Sequence, residues 1–134
     1  MTPADALAAA ITGEDAAVYA YGVAGAHMQD DDVAVALTAL DIHRSRAASL
    51  RQTLAETGSP VPTPAAAYDL PFPVVDSLSA RRLAALVEER LAGIYAQLAG
   101  ATLADERRQA SLTARECASQ AVLWGGVPAA FPGS

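Results

Sequence analysis

Four ionisable side chains, Glu14, His43, Glu88 and Glu116, stand in otherwise apolar stretches of the sequence, and their types could do chemistry if the fold brings them together. Carboxylates around an imidazole supply the oxygen and nitrogen donors that iron, manganese or zinc accept. The same groups can instead neutralise one another as a buried ion pair, or form the polar end of a small-molecule pocket. A glutamate on an apolar stripe is costly to bury without a partner, and His43 or an arginine such as Arg44 would serve Glu14. Three readings of Glu14 and His43 therefore stand side by side: a structural pair, a residual single-metal site and a ligand pocket. Glu88 adjoins Glu89, and Glu116 lies near Arg115 and Arg107, so both acids can equally well face water. Tyr19, Tyr21 and Tyr95 read as packing residues. The chain has no glycine-rich phosphate loop, no cysteine cluster and no recognisable nucleophile set of Ser, His and acid.

The elements that must position these residues are helices. Thr2-Pro3-Ala4-Asp5 combines an N-cap, a proline at the first helical position and an acid three residues after the cap, so helix 1 should begin there and run to about residue 28. Its stripe is Ala4, Leu7, Ile11, Glu14, Val18, Tyr21, Gly25 and Met28, at alternating spacings of three and four. Asp30, Asp31 and Asp32 supply a cap and a negative first turn to helix 2, about 32–56, with the stripe Val33, Ala36, Leu40, His43, Ala47, Leu50 and Leu54.

Gly58 ends helix 2, and the prolines at 60, 62, 64, 71 and 73 forbid regular helix across a crossover at 58–77. Its apolar residues Val61, Tyr68, Leu70, Phe72 and Val74 predict that it lies against the bundle. Extended, it could span about 60 Å, whereas a helix of about 24 residues is ~36 Å long, so it can return along the bundle and set helices 2 and 3 parallel. Helix 3, about 78–99, carries Leu83, Val87, Leu91, Ile94 and Leu98 and is expected to stop at Gly100. A second capping box, Thr102-Leu103-Ala104-Asp105, should open helix 4, about 104–124. Helix 4 has two stripes, Ala110, Ala114, Cys117, Ala121 and Trp124 beside Leu112, Glu116, Ser119 and Leu123, both expected to be buried. The helix midpoints fall near residues 15, 44, 89 and 114, which puts Glu14, His43, Glu88 and Glu116 at one level, one per helix. The segment 125–134 should be an irregular tail tucked on the surface.

At 134 residues the chain has the size of one domain, 1–134. Apolar residues make up 52% and aromatics only 5%, the excess being alanine, which favours closely packed helices. A net charge of −6 argues against nucleic acid as a partner, since phosphate affinity comes from clustered Lys and Arg. Cys117 is the only cysteine, so no intramolecular disulfide can form and a reducing cytoplasm is expected. No lysine or arginine precedes Arg44, unlike a secretory leader, and Gly125, Gly126, Pro128 and Pro132 break the charge-free C-terminal stretch, so no membrane span is expected.

The chain resembles the ferritin-like superfamily, and in particular a group of actinobacterial ferritin-like domains of unknown function, over nearly its whole length. The resemblance is carried by residues 13–22, Gly13-Glu14-Asp15-Ala16-Ala17-Val18-Tyr19-Ala20-Tyr21-Gly22, by His43-Arg44-Ser45-Arg46, and by Ala67-Tyr68-Asp69-Leu70-Pro71-Phe72-Pro73-Val74 in the crossover. It implies an all-α, ferritin-like four-helix bundle with a long crossover between helices 2 and 3. It also implies the positions of a di-metal centre: a Glu from each of two helices, here Glu14 and Glu88, and a Glu-x-x-His pair from each of the others. His43 and Glu116 supply half of each pair, but Leu40 stands where the acid should be and Ser119 where the histidine should be. The expected protein is thus a non-enzymatic bundle without a di-metal centre or other cofactor. It would act as a scaffold or binding module and, because alanine-rich faces are too apolar for solvent all round, as a homodimer. The alternative is an iron- or manganese-dependent oxidoreductase or iron-handling protein built on Glu14, His43, Glu88 and Glu116; a small-molecule carrier is a third possibility.

Overall fold

The structure, a computed structural model, describes residues 1–125. Four helices follow one another: α1 (Pro3–Gly25), α2 (Asp31–Glu56), α3 (Ser77–Ala101) and α4 (Ala104–Leu123). The expected tail at 125–134 lies, beyond Gly125, outside the described residues.

The start of α1 is fixed by its own sequence. The Thr2 hydroxyl accepts the Asp5 amide at 3.1 Å and the Asp5 carboxylate accepts the Thr2 amide at 3.2 Å, satisfying two otherwise orphaned donors. α1 ends at Gly25 rather than near 28, although Met28 is still buried just beyond it. Asp30 occupies the N-cap position of α2 at φ 54° without a side-chain cap bond, so the expected aspartate cap reduces to a negatively charged first turn. Asp76, by contrast, forms a reciprocal box with Ser79 at the head of α3.

Two further expectations fail at the α3–α4 turn. Gly100 does not stop α3, which continues through Ala101. Thr102 does not cap α4, because its hydroxyl donates back to the Leu98 carbonyl at 2.8 Å; Leu103 takes the N-cap position with no side-chain bond. The connection is so tight that Ala104 adopts φ 54°, a strained value for a residue with a Cβ.

Two apolar clusters define the topology. One joins Leu7 and Ile11 to Leu54, Leu98 and Ala110, the other joins Tyr21 and Met28 to Ala36, Leu83 and Trp124. The first half of α1 therefore meets the ends of α2 and α3, and the second half meets their beginnings. α2 and α3 run parallel, as the crossover length implied, and the molecule is an all-α four-helix bundle with a long crossover. The crossover lies on the bundle: Val61, Leu70, Phe72 and Val74 pack against the clusters, and the Tyr68 ring sits 5.5 Å from that of Tyr19. Gly13 lets α1 and α3 approach, since a Cβ there would lie 2.8 Å from Ile94 Cδ1.

Helix α1 packs on α2 and α3, and α3 packs on α4, but α2 and α4 make no close backbone approach. Among the described residues, three sides of the bundle are closed and the fourth is open. This explains why the second stripe of α4 is not buried: Leu112 is 44% and Leu123 69% exposed, and Glu116 and Ser119 also face out. Among the described residues, no helix is long and apolar enough to cross a membrane.

Candidate functional site

Midway along the bundle, α1, α2 and α3 each turn one ionisable side chain inward. Glu14, His43 and Glu88 are all at most 2% exposed. His43 Nδ1 lies 3.0 Å from both Glu14 oxygens, and Nε2 lies 2.5 Å from Glu88 Oε1. With a carboxylate at each nitrogen, the ring must donate from both, which is the behaviour of an imidazolium. Burial pulls the His43 pKa down, but the hydrogen bonds and charges of Glu14 and Glu88 outweigh it and raise the pKa to about 9. Burial raises the carboxyl of Glu14 above its usual range, against the pull of His43.

The cluster continues toward α4. The Tyr21 hydroxyl donates to Glu88 Oε1 at 2.9 Å, and Trp124 Nε1 donates to the Tyr21 oxygen at 2.9 Å. The Tyr21 ring stacks on the imidazole, with centroids 5.5 Å apart and planes 21° from parallel. Burial first, and then the Glu88 charge, keep the Tyr21 phenol protonated; burial and the charge of Glu14 do the same for Tyr95. Cys117 is buried beside the cluster, and burial, with the Glu88 charge behind it, pushes its thiol up, away from the reactive thiolate. Glu88 Oε1 thus accepts two strong bonds. The Cys117 thiol is a further, weak donor beside the same carboxylate, and among the described residues no fully buried side-chain nitrogen or oxygen lacks a partner.

Glu116 does not join this cluster. Its side chain is 63% exposed and pairs with Arg46 of α2 across the open side of the bundle. The strut marks the middle of a groove. On one side of it a cavity of about 710 Å³ has Val35, Ile42 and Leu112 on its walls and His43 and Glu88 on its floor. On the other side a cavity of about 440 Å³ reaches Leu50, Tyr95 and Leu98. Arg46 borders both.

Residues 6–134 match the family model described as a domain of unknown function, DUF4439. The chain belongs to that family. It is also similar to the crystal structure of a conserved hypothetical protein, rv2844, from Mycobacterium tuberculosis, with a TM-score of 0.87 and 32% identity over 91% of this chain and 93% of that one. No curated protein matches.

In this DUF4439 chain, then, three of the four sequence candidates converge and the fourth stands on the rim. Leu40 is partly buried and Ser119 is exposed in the groove, so neither adds a donor to the floor. Sequence reasoning missed the roles of Tyr21, Trp124 and Arg46. Tyr21 lies on the stripe of Glu14 two turns on, and Arg46 follows His43 by three residues, so helical spacing was the available signal for both. A buried charge outside the cluster also went unnoticed: Asp15, 8% exposed at its side chain, pairs with Arg51, whose Nε also donates to the Pro62 carbonyl at 3.4 Å and ties the crossover to α2.

Proposed function

We propose that this chain is a ferritin-like bundle that acts as a binding module and does not carry out di-metal chemistry. The observation that supports it most directly is the double engagement of His43. Both ring nitrogens face carboxylates at hydrogen-bond distance, so the only imidazole in the cluster has no lone pair free for a metal. A di-iron or di-manganese centre also needs donors where Leu40 and Ser119 stand, and Glu116 is tied to a guanidinium. The residues do not fit a two-metal centre, and the buried charges act instead to fix α1, α2 and α3 in register. The accessible chemistry lies in the groove above them, an open, largely apolar cleft with polar groups converging at its floor, which is the character of a ligand site.

The test is the metal content and iron chemistry of protein purified without chelator. Substoichiometric iron and manganese, with Fe(II) oxidation no faster than the buffer background, is the expected result. Two irons per chain with catalysed oxidation, abolished by Glu14→Ala, would overturn the proposal in favour of an iron-dependent oxidoreductase. The rest of the proposal is one domain over 1–134, a cytoplasmic setting compatible with the lone buried thiol of Cys117, and no nucleic-acid partner, in keeping with the charge of −6. It also includes a homodimer, supported by the exposed apolar side chains of Leu37, Ile42 and Leu123; sedimentation as a monomer at high micromolar concentration would reject that part.

A further inference from the structure

The open side of the bundle is a surface without a partner among the described residues. Ten large apolar side chains there and elsewhere are well exposed, and six of them lie on α2 and α4, the two helices that do not approach each other. Val35, Ile42 and Leu112 stand on the walls of the groove itself, each more than two-fifths exposed. Apolar side chains gathered on one face mark an interaction surface. With α4 20 residues long, the face measures about 30 Å by at least 20 Å, or roughly 600 Å² per copy before the relief of its side chains is counted. A stable interface takes about 800 Å² of accessible surface from each partner, so this face has the size of one.

Charge decides what fits it. Glu14, Glu88 and Glu116 are matched by His43, Arg46 and Arg115, so the middle of the face is neutral although the chain carries −6. A partner of one strong sign is therefore not selected. Among the described residues, the well-exposed charges on the walls of the larger cavity are Arg115 and Glu116, adjacent on α4. Successive residues of a helix point about 100° apart, so these two do not face each other. Arg115 has no ion pair among the described residues, and Glu116 engages Arg46 through one oxygen, leaving the other open. A cation and an anion side by side, each with bonding capacity to spare, are complementary to a copy of themselves: turned by a two-fold axis, each meets its opposite.

We infer that two copies of the chain pack together through their α2–α4 faces, with the two α4 helices antiparallel and Arg115 of each copy paired with Glu116 of the other. This inference rests on the homodimer reading and adds the surface that makes the dimer. The two-fold axis passes beside the step from Arg115 to Glu116, which sets Leu112 of one copy opposite Ser119 of the other, each three residues outside the pair. The cavities of about 710 Å³ and 440 Å³ lie on opposite sides of the strut between Arg46 and Glu116, so the larger one of each copy is covered by the half of the partner that holds the smaller. The floor of His43 and Glu88 is then roofed by a second chain, and the ligand site of the binding module is complete only in the dimer.

The experiment is sedimentation velocity of the full chain and of two charge variants, alone and mixed. Wild type is expected to be a dimer at high micromolar concentration. Arg115→Glu leaves two acids, and Glu116→Arg two cations, to face their own kind across the axis; each variant alone should associate at least about tenfold more weakly. An equimolar mixture should recover the dimer, since two acids on one chain then meet two cations on the other. Arg44→Glu, the same change of charge at an exposed position that lines neither cavity, should associate like wild type. A second test does not depend on charge. Leu112→Cys combined with Ser119→Cys places two thiols about 10 Å apart on one helix, beyond disulfide reach within a chain, so mild oxidation should give a covalent dimer on a denaturing gel. Wild type, whose Cys117 is buried, should give none.

A wild-type chain that sediments as a monomer at high micromolar concentration would overturn the interface and the homodimer reading together. A dimer that Arg115→Glu leaves intact, or one that the cysteine pair does not cross-link, would overturn the interface alone and put the dimer on another face. Two dissociated variants with the wild-type circular dichroism spectrum that stay apart when mixed would overturn the reciprocal pairing. Should Glu116→Arg fail to fold without its strut to Arg46, the cysteine pair still decides, and absence of the covalent dimer refutes the antiparallel register.

Discussion

Replacing His43 with leucine removes the one positive charge that lies between two buried carboxylates, and the geometry sets the size of the effect. The folded chain holds the imidazole proton with a pKa of about 9 against 6.5 for a free histidine. A group whose folded pKa is raised stabilises the fold fully below its unfolded pKa and loses that contribution as pH rises through the folded value. The contribution here is about 3 kcal/mol at pH 6, and roughly 2 of it should be gone by pH 8.5. Glu14, whose pKa is raised by burial, changes stability with pH in the same direction, so the two do not cancel. The groups facing the ring are Glu14 on α1, Glu88 on α3 and the Tyr21 phenol; the Cys117 thiol, pushed upward by burial, contributes only at higher pH, and Arg46 stays charged throughout. The assay is urea unfolding followed by far-ultraviolet circular dichroism at pH 6 and 8.5. Wild type should lose about 2 kcal/mol between them. His43→Leu should be about 3–5 kcal/mol less stable at pH 6, because two carboxylates are left uncompensated, and should lack the part of the slope that the histidine supplies, keeping only that of the raised Glu14. A wild-type protein equally stable at both pH values, or a leucine variant with the wild-type slope, would refute the picture of a doubly donating imidazolium.

Four further outcomes follow from particular contacts. Arg51→Ala strands the buried Asp15 and frees the Pro62 carbonyl, so it should cost about 2–3 kcal/mol in the same unfolding assay. Arg44→Ala, which breaks an exposed pair with Asp41, should cost less than about 0.5 kcal/mol; equal losses would show that burial does not govern these pairs. Tyr21→Phe leaves both Glu88 and the Trp124 indole short of a partner and should cost about 1–3 kcal/mol, with a shift in Trp124 emission. Cys117, buried and held as the thiol, should react with a maleimide only after unfolding; stoichiometric labelling of the native protein within minutes would contradict its placement.

The helices were legible because the chain writes them with local signals: the Thr2–Asp5 box, the proline run and an apolar repeat that keeps phase through Glu14 and His43. The parallel run of α2 and α3 was legible because a chain of that length has few other places to go. The α3–α4 turn was misread because Thr102 can bond backward to Leu98 as readily as forward, and nothing local distinguishes the two. The convergence of Glu14, His43 and Glu88 could be expected from their common level. That Glu116 stays outside could not, because it depends on α2 and α4 keeping apart, a property of two helices distant in sequence. The stripe of Leu112, Ser119 and Leu123 looked like core only on the assumption that all four sides close.

The same topology divides the chain into two helical hairpins, α1–α2 and α3–α4, which meet backbone to backbone only through α1 and α3. Contacts inside each hairpin are short-range and can form quickly, whereas the α1–α3 contact waits for the proline-rich strap to bring the halves together. Glu14 and His43 belong to the first hairpin and Glu88 to the second. The first hairpin therefore carries a neutralised pair on its own, and Glu88 meets His43 only at the docking step. Amide exchange should register that step as two cooperative units, with α2 and α4, each anchored along one side only, opening at lower free energy than the central α1 and α3.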